Sequence, residues 1–599
     1  MVLQDLTVTI YQTELEKHQL LFQKESKASN ILSGSRLMLI VFALVAGYQF
    51  FKNGGYAFGA ILMLSIIVFL VLVRRHDKVK QKRRFYQQLV KINEAEIAAT
   101  NGDFSSFGAG AHYVDPQHAY SYDLDIFGDN SIFQYLNRTT TVIGADRLAQ
   151  YFLGHQSDAE IMESQEAIRD LAGQLPWRQE FQATGQLHPD QKSSCELLVQ
   201  WCGLPLQQTA LVLRVLWQVL TFATIATGLA FIITQSKAVW DTFFVLTSVN
   251  LIVVIAHAKK IKHELQYLNA IFKVVEQYGF LLRYMEQGKF SSPKLMALQQ
   301  KLHNNGQPAS ATIIKLSGLL HQLESVQNLI GAVVFNSLFL YHVHILLALE
   351  KWKANHAAQL KIWVDSIAEV EALSSFGHFS YNNPSFVFPT ISDKIELTCT
   401  KLGHPLIAEE KRVCNDIQFE KSGFVILTGS NMSGKSTFLR SLGINLLLAK
   451  VGAPVCATAC TTFNFEIFVS MKLSDSLHDN ESYFYAELKR LQRTIEQLET
   501  GRPGFVLLDE ILRGTNSNDK LAGTIGLLET MVRIKSTGVL ATHDLNVCDL
   551  QAKHPETLRN MCFEVEMTHD DLYFDYQLRD GVCVNKSASF LMKKMGVIG

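Results

Sequence analysis

Two stretches of this 599-residue chain hold long apolar runs without a charge, and each doubles back through a short polar turn. The first lies between Arg36 and Lys52 as LMLIVFALVAGYQFF; the turn KNGG follows, and YAFGAILMLSIIVFLVLV then reaches Val73. A helix that is apolar on every side rests either in lipid or deep inside a large bundle. The runs predict a transmembrane hairpin over about 37–51 and 56–73. Each arm is near or slightly below the ~20 residues that cross hydrocarbon, so flanking residues or local thinning complete the span. A buried hairpin in a soluble protein is the alternative. The basic run RRHDKVKQKRR, Arg74 to Arg84, favours lipid, because such residues collect on the cytoplasmic flank of a span.

A second hairpin repeats the pattern: VLWQVLTFATIATGLAFII from Val215 to Ile233, the connector TQSKAVWD, TFFVLTSVNLIVVIA to Ala256, and the basic HAKKIKHE. Trp217 and Trp240 suit the membrane interfaces and Arg214 the cytoplasmic entrance. With both hairpins returning inward, the expected location is a multi-pass protein of the plasma or inner membrane with its remaining mass in the cytoplasm. A further apolar run at 330–348 contains Asn336, His342 and His344. It reads as a buried core helix, since those groups are costly in lipid.

Composition agrees with lipid contact: 48% hydrophobic residues and a mean hydropathy of +0.10 are high, and 19% charged residues is low. The N-terminus is acidic and lacks an early apolar core, which excludes a cleavable signal peptide. Nine cysteines without a CxxC pair read as reduced cytosolic thiols. A net charge of −1 excludes a bulk basic field, so nucleic acid requires a local patch. From Glu264 to about Ser374 apolar residues recur at helical spacing; after FGHFSYNNPSFVFP the chain turns to strand-like segments and glycine turns.

The chemistry lies in that last part. FVILTGSNMSGKST, from Phe424, sets an apolar strand, a glycine-bounded loop and a helix start around GxxxxGK[ST]. Gly429 and Gly434 let the backbone curl, so that the N–H groups of Ser430, Asn431, Met432 and Ser433 face phosphate oxygens. Lys435 adds a cation for the β- and γ-phosphates, Ser436 a hydroxyl for Mg²⁺, and Thr437 continues the helix. FVLLDE, Phe505 to Glu510, is an apolar strand ending in two carboxylates: Asp509 suits the Mg²⁺ shell and Glu510 the attacking water. GVLATHD brings His543 from another strand end toward the γ-phosphate.

The order GSNMSGKST, ESYFYAEL, LLDEILRGTNSND and LATHD resembles the ATPase domain of the MutS family, the ABC-type ATPases of DNA mismatch repair. The resemblance implies ATP with Mg²⁺ held between two subunits. It also implies Ser482 reaching the partner's γ-phosphate, and Thr515, Asn516 and Ser517 in the loop that meets the partner. Asn480 stands where the family usually has glycine. KLGHPLI is similar to the segment before the family's phosphate loop, with Arg412 and Val413 beside the adenine; Arg412 replaces the usual aromatic. IFQYLNRTTTVIGADRLAQYFLG and DSIAEVEALSSFGHFS resemble the two ends of the family's helical core. No segment resembles its mismatch-reading domain, and the second hairpin falls where the family extends its levers and DNA clamp.

The expected architecture is multidomain. Residues 1–115 hold the first hairpin, 116–210 the first part of the core, 211–258 the second hairpin, and 259–375 the lever and second core part. Residues 376–599 form an α/β ABC-type P-loop ATPase domain with a C-terminal dimerisation tail. The expected function is a membrane-anchored, homodimeric ATP hydrolase that couples turnover to its helical levers, with membrane lipid and double-stranded DNA as partners. A transport or remodelling ATPase that ignores DNA, and a scaffold that binds ATP without hydrolysis, are the alternatives.

Overall fold

Gly54 closes the first long helix in the left-handed conformation, φ 64°, its N–H bonded to the carbonyl of Phe50 at 2.9 Å. It separates α1 (Val2–Asn53) from α2 (Tyr56–Thr100), an antiparallel hairpin much longer than its apolar runs. The computed structural model describes residues 2–54, 56–187, 192–204, 209–304, 306–325, 329–472, 483–567 and 572–584.

The polar half of this hairpin is fastened to the helical core. Leu89 and Ile92 pack against Ala183, and the buried Tyr11 hydroxyl donates to Asn382 at 2.6 Å. Below them the fully buried Glu96 receives Arg138 Nε at 2.5 Å and Asn382 Nδ2 at 2.9 Å. The upper half of the hairpin is apolar and outward-facing, with Leu44, Leu64 and Ile67 all exposed.

The second hairpin is α3 (Leu211–Thr234) and α4 (Lys237–Gln287), and α4 continues without a break into the core. Among the described residues four helices, α1 to α4, are long and apolar enough to cross a membrane. Buried Asn250 joins the pair: its Nδ2 donates to Thr224 at 3.1 Å and to the Ser337 carbonyl at 2.7 Å.

The 330–348 run departs from expectation. It is two helices, α5 (Leu329–Phe339) and α6 (Tyr341–Asn382), bent by 73° at Leu340, whose φ is 48°. Its polar groups turn inward. Asn336 and His342 hydrogen-bond to each other at 2.8 Å and His344 meets Thr221 at 3.0 Å. Ile330, Val333 and Phe335 are thereby left exposed, so α5 is not a buried core helix. Trp217 is also corrected, since it is buried against Leu340 and Val343 and stands edge-on to His257 at 4.9 Å. Trp240, beside Phe231 near the hairpin tip, is exposed.

Beyond α6 the chain builds sheets. A four-stranded sheet runs in the order Thr390–Ile391, Ala459–Thr462, Leu397–Leu402, Asn415–Phe419. The main sheet comprises β1 (Phe424–Gly429), β2 (Glu466–Ser470), β3 (Gly504–Asp509), β4 (Thr537–Ala541), β5 (Leu558–Phe563) and β6 (Leu578–Asp580), in the order β6-β5-β1-β4-β3-β2. Every pairing is parallel except β5 with β6. β1, β3 and β4 are buried along their whole length, which is why they read as unbroken apolar runs rather than alternations. Helices α7 (Lys435–Lys450), α8 (Tyr483–Glu499) and α9 (Ser517–Arg533) flank the sheet.

The segment that follows the first hairpin is stitched to the sheet edge. Val469 donates to the Ala119 carbonyl at 2.9 Å, and buried Asp123 accepts the N–H groups of Met471 and Lys472 at 2.7 and 2.8 Å and pairs with Arg490. Helical core and sheet domain thus share hydrogen bonds as well as apolar packing.

Candidate active site

Parallel strands deliver their C-terminal ends to one side of the sheet, and β1, β3 and β4 all do so around one cavity of about 600 Å³. The loop after β1 forms its floor. A Cβ on Gly429 would stand 2.6 Å from Ser433 Oγ and 3.0 Å from the Phe563 carbonyl, so only glycine fits there. Gly434, at φ 103°, turns the chain directly into α7 with no side-chain cap, leaving the first-turn N–H groups facing outward. Ser430 Oγ and Ser433 Oγ are buried without a hydrogen-bond partner among the described residues, the condition of a loop whose polar groups complement an anion.

Lys435 Nζ donates to the carbonyls of Gly429 and Ser430, each at 2.9 Å, and lies 3.4 Å from His543 Nε2. Burial lowers its pKa to about 8 against the opposing pull of Asp509. Ser436 Oγ donates to Asp509 Oδ2 at 2.6 Å. These are hard oxygen donors that between them supply the one or two protein ligands Mg²⁺ usually takes beside phosphate and water, so the pair fits that ion.

Glu510 follows β3 in the left-handed conformation, φ 48°, an uncommon state for this residue type that marks a constrained position. Its Oε1 lies 2.6 Å from His543 Nε2. Burial, and then the Lys435 charge, hold the His543 pKa below its ordinary value. The cation, the hydroxyl–carboxylate pair and the histidine–carboxylate pair come from β1, β3 and β4 and converge on the same cavity. Asn431, Met432, Ser433, Gly434, Ser436, Thr437 and Val413 also line it.

Arg412 lies elsewhere. Its Nε and Nη2 donate to the Ile407 carbonyl at 2.9 and 2.6 Å, and its guanidinium lies over Phe386 rather than lining the cavity. An available carbonyl and an aromatic face hold it there. Asn516 and Ser517 begin α9 and are exposed away from the cavity, with Asn516 Oδ1 capping Asp519 N at 2.9 Å. Ser482, Asn480 and the C-terminal tail from 585 lie outside the described residues.

Among the cavity residues that the sequence does not single out, three carry polar or aromatic groups beside the phosphate loop and the carboxylates. His404 forms one wall, its pKa lowered to about 4 by burial and by the nearby Arg440 and Arg412 charges. Tyr576, at φ 54°, rests 3.0 Å from the position a Gly434 Cβ would take and stacks beside Phe574. Arg513 donates Nε to the Glu510 carbonyl at 2.8 Å and Nη2 to the Asp509 carbonyl at 3.2 Å, bracing the turn that carries both acids. The signal for Arg513 was its place in DEILRGT; nothing in YFDYQLRD marks Tyr576.

With this geometry in view, residues 425–596 match MutS domain V. The likeness to the MutS family thus lies in this C-terminal domain. MutS protein homolog 4 of Homo sapiens is 29% identical over 236 residues, 37% of this chain and 24% of that protein. The DNA mismatch repair protein MutS of Thermotoga maritima is 30% identical over 241 residues, 39% of this chain and 29% of its own length. The corresponding protein of Ehrlichia chaffeensis is 30% identical over 243 residues, 40% and 30% respectively. The matched region therefore spans under a third of these MutS relatives.

Proposed function

We propose that this chain is a membrane-anchored MutS-type ATP hydrolase that works as a homodimer and passes each hydrolysis stroke through its helical core. The observation that carries the reading is the convergence of Lys435, Ser436 with Asp509, and Glu510 with His543 on one cavity floored by the glycine loop. The loop N–H groups and the first turn of α7 take the β- and γ-phosphates of ATP, and Lys435 exchanges two carbonyls for their oxygens. Ser436 and Asp509 would hold Mg²⁺, which when bound neutralises charge on the phosphate oxygens. Glu510 accepts a proton from water as that oxygen bonds to the γ-phosphorus; the bond to the β-phosphate oxygen breaks, and ADP and phosphate leave. His543 holds the Glu510 carboxylate in place.

Ser482, Asn516 and Ser517 are assigned to the partner-facing side, and a dimer closes the two ATP sites. The α1–α2 and α3–α4 hairpins anchor the protein, with the basic flanks after Val73 and Ala256 and the ATPase domain in the cytoplasm. The relatives named as DNA mismatch repair proteins support double-stranded DNA as the object of the stroke, held by a local patch.

The outward apolar faces of the hairpins and of α5 favour a second reading, a transport or remodelling ATPase that acts on the bilayer. ATPase rates of the detergent-solubilised full chain, with and without perfect, mismatched and branched duplexes across salt, separate the two. Stimulation that falls steeply with salt supports DNA coupling, and indifference to every nucleic acid supports the bilayer. Absence of ATP turnover in all conditions overturns both.

A further inference from the structure

A second cavity, of about 530 Å³, opens where the apolar part of α4 ends, between α4, α6 and the helix Lys192–Gly203. Three lysines line it, Lys259, Lys260 and Lys353, with two carboxylates. Both carboxylates are engaged. Glu264 accepts Trp201 Nε1 at 2.8 Å, and Glu350 accepts Lys260 Nζ at 2.5 Å and Thr209 Oγ1 at 3.0 Å, with Arg214 3.8 Å away.

Lys353 is the telling residue. The residue is 8% exposed, its ammonium lies 5.2 Å from the centre of the Trp201 ring, and Glu264 acts on it only through space, with no ion-pair contact among the described residues. Burial outweighs the through-space pull of the Glu264 carboxylate on this ammonium, so an anion entering the cavity beside Lys353 and Lys259 would relieve the cost of burying it. The hairpin supplies the rest of the ligand's outline. Ile252 and Ile255, within about one turn of the cavity-lining Ala256, are exposed, as is Val215 on α3. A phosphate in the cavity could therefore continue into an acyl chain along these side chains.

We propose that this cavity binds the phosphate headgroup of an anionic phospholipid, Lys353 and Lys259 holding the phosphate while the acyl chains lie along the outer face of the second hairpin. The proposal rests on the membrane anchoring proposed above. It makes the occupant a component of the bilayer rather than a soluble phosphate ester, and it places lipid recognition at the point where α4 and α6 pass from hairpin to core.

The test uses the full chain in nanodiscs of phosphatidylcholine alone or with phosphatidylglycerol, followed by native mass spectrometry of retained lipid, with inorganic phosphate and glycerol phosphate as soluble competitors. Wild-type protein should retain phosphatidylglycerol at least about tenfold over phosphatidylcholine, a preference of ~1.4 kcal/mol. Lys353→Met and the exposed, fold-neutral Lys259→Glu should each lose most of that preference, Lys353→Arg should keep it, and Lys80→Ala in the other basic run should leave it unchanged. Equal retention of both lipids, or an unchanged preference in both Lys353→Met and Lys259→Glu, overturns the proposal while anchoring stands. Full displacement by glycerol phosphate at equal concentration overturns the lipid source and leaves a soluble-phosphate site. A chain that enters no bilayer overturns the anchoring, and the lipid assignment with it.

Discussion

The Lys435 ammonium sits buried among carbonyls, and its pKa of about 8 follows from that burial. A lysine held below its ordinary 10.5 costs the empty fold stability while charged, so this contribution is unfavourable below about pH 8 and relaxes as pH rises toward the unfolded value. A triphosphate reverses the preference by supplying negative charge. Nucleotide binding near and above pH 8 should therefore take up protons, read by calorimetry in buffers of different ionisation enthalpy; binding without uptake there would mean the ammonium is fully charged beforehand. Lys435→Ala should weaken ATP binding by ~2 kcal/mol or more, about thirtyfold, since a charged partner of the phosphates is lost. Unchanged nucleotide affinity removes the loop assignment. Glu510→Gln should keep ATP bound and lower turnover by about 10²–10⁴ in single-turnover assays, and the trapped nucleotide should hold the dimer in light scattering. Hydrolysis at the wild-type rate takes Glu510 out of its role.

At the scale of elements, the turn after β3 depends on a brace. Glu510 and Leu512 both have positive φ, and Arg513 holds the carbonyls of Asp509 and Glu510 while Glu487 on α8 accepts Leu512 N–H at 2.9 Å. Removing the brace should disorder the carboxylates more than the phosphate loop, so Arg513→Ala is expected to lower kcat about tenfold or more with little change in nucleotide Kd. A parallel loss of binding would show that Arg513 touches nucleotide directly. The hairpin stalk has its own fastening in Glu96 and Arg138, both nearly inaccessible to solvent. Glu96→Ala leaves a buried guanidinium without its carboxylate and should cost about 3–5 kcal/mol, measured as a shift of chemical unfolding of the full chain in detergent; a change near zero would mean water already reaches the pair.

Across the whole molecule, the hairpins and the sheet domain are connected by continuous structure. α4 runs unbroken from lipid-compatible surface into the core, α6 runs from the bend at Leu340 to Asn382, and Asp123 ties the segment after the first hairpin to the sheet edge. On the proposed reading, this continuity is the route by which a stroke at the candidate ATP cavity reaches the hairpins. The anchoring is checked by single cysteines in cells. An impermeant maleimide applied from outside should label Asn53→Cys and Ser236→Cys at the hairpin turns but not Lys259→Cys, whereas labelling of all three or none in intact cells rejects the assigned topology. The native cysteines are buried or half-buried and make a low background.

The sequence by itself determined the parts whose physics is local. Apolar runs around KNGG and TQSKAVWD became helical hairpins because length and lack of charge leave little choice, and GSNMSGKS became a turn into a helix because its glycines permit it. Only tertiary structure decided where polar side chains found partners. Asn336 and His342 satisfied each other and bent the third apolar run, Trp217 moved from interface to interior, and Arg412 turned to Ile407 and Phe386 instead of the cavity. Tyr576 entered the cavity because the β5–β6 pairing carries its segment past Gly434. A hydrogen-bonding or aromatic group settles on whichever partner folding brings within reach, and that partner is set by contacts distant in the chain, which spacing along the sequence does not record.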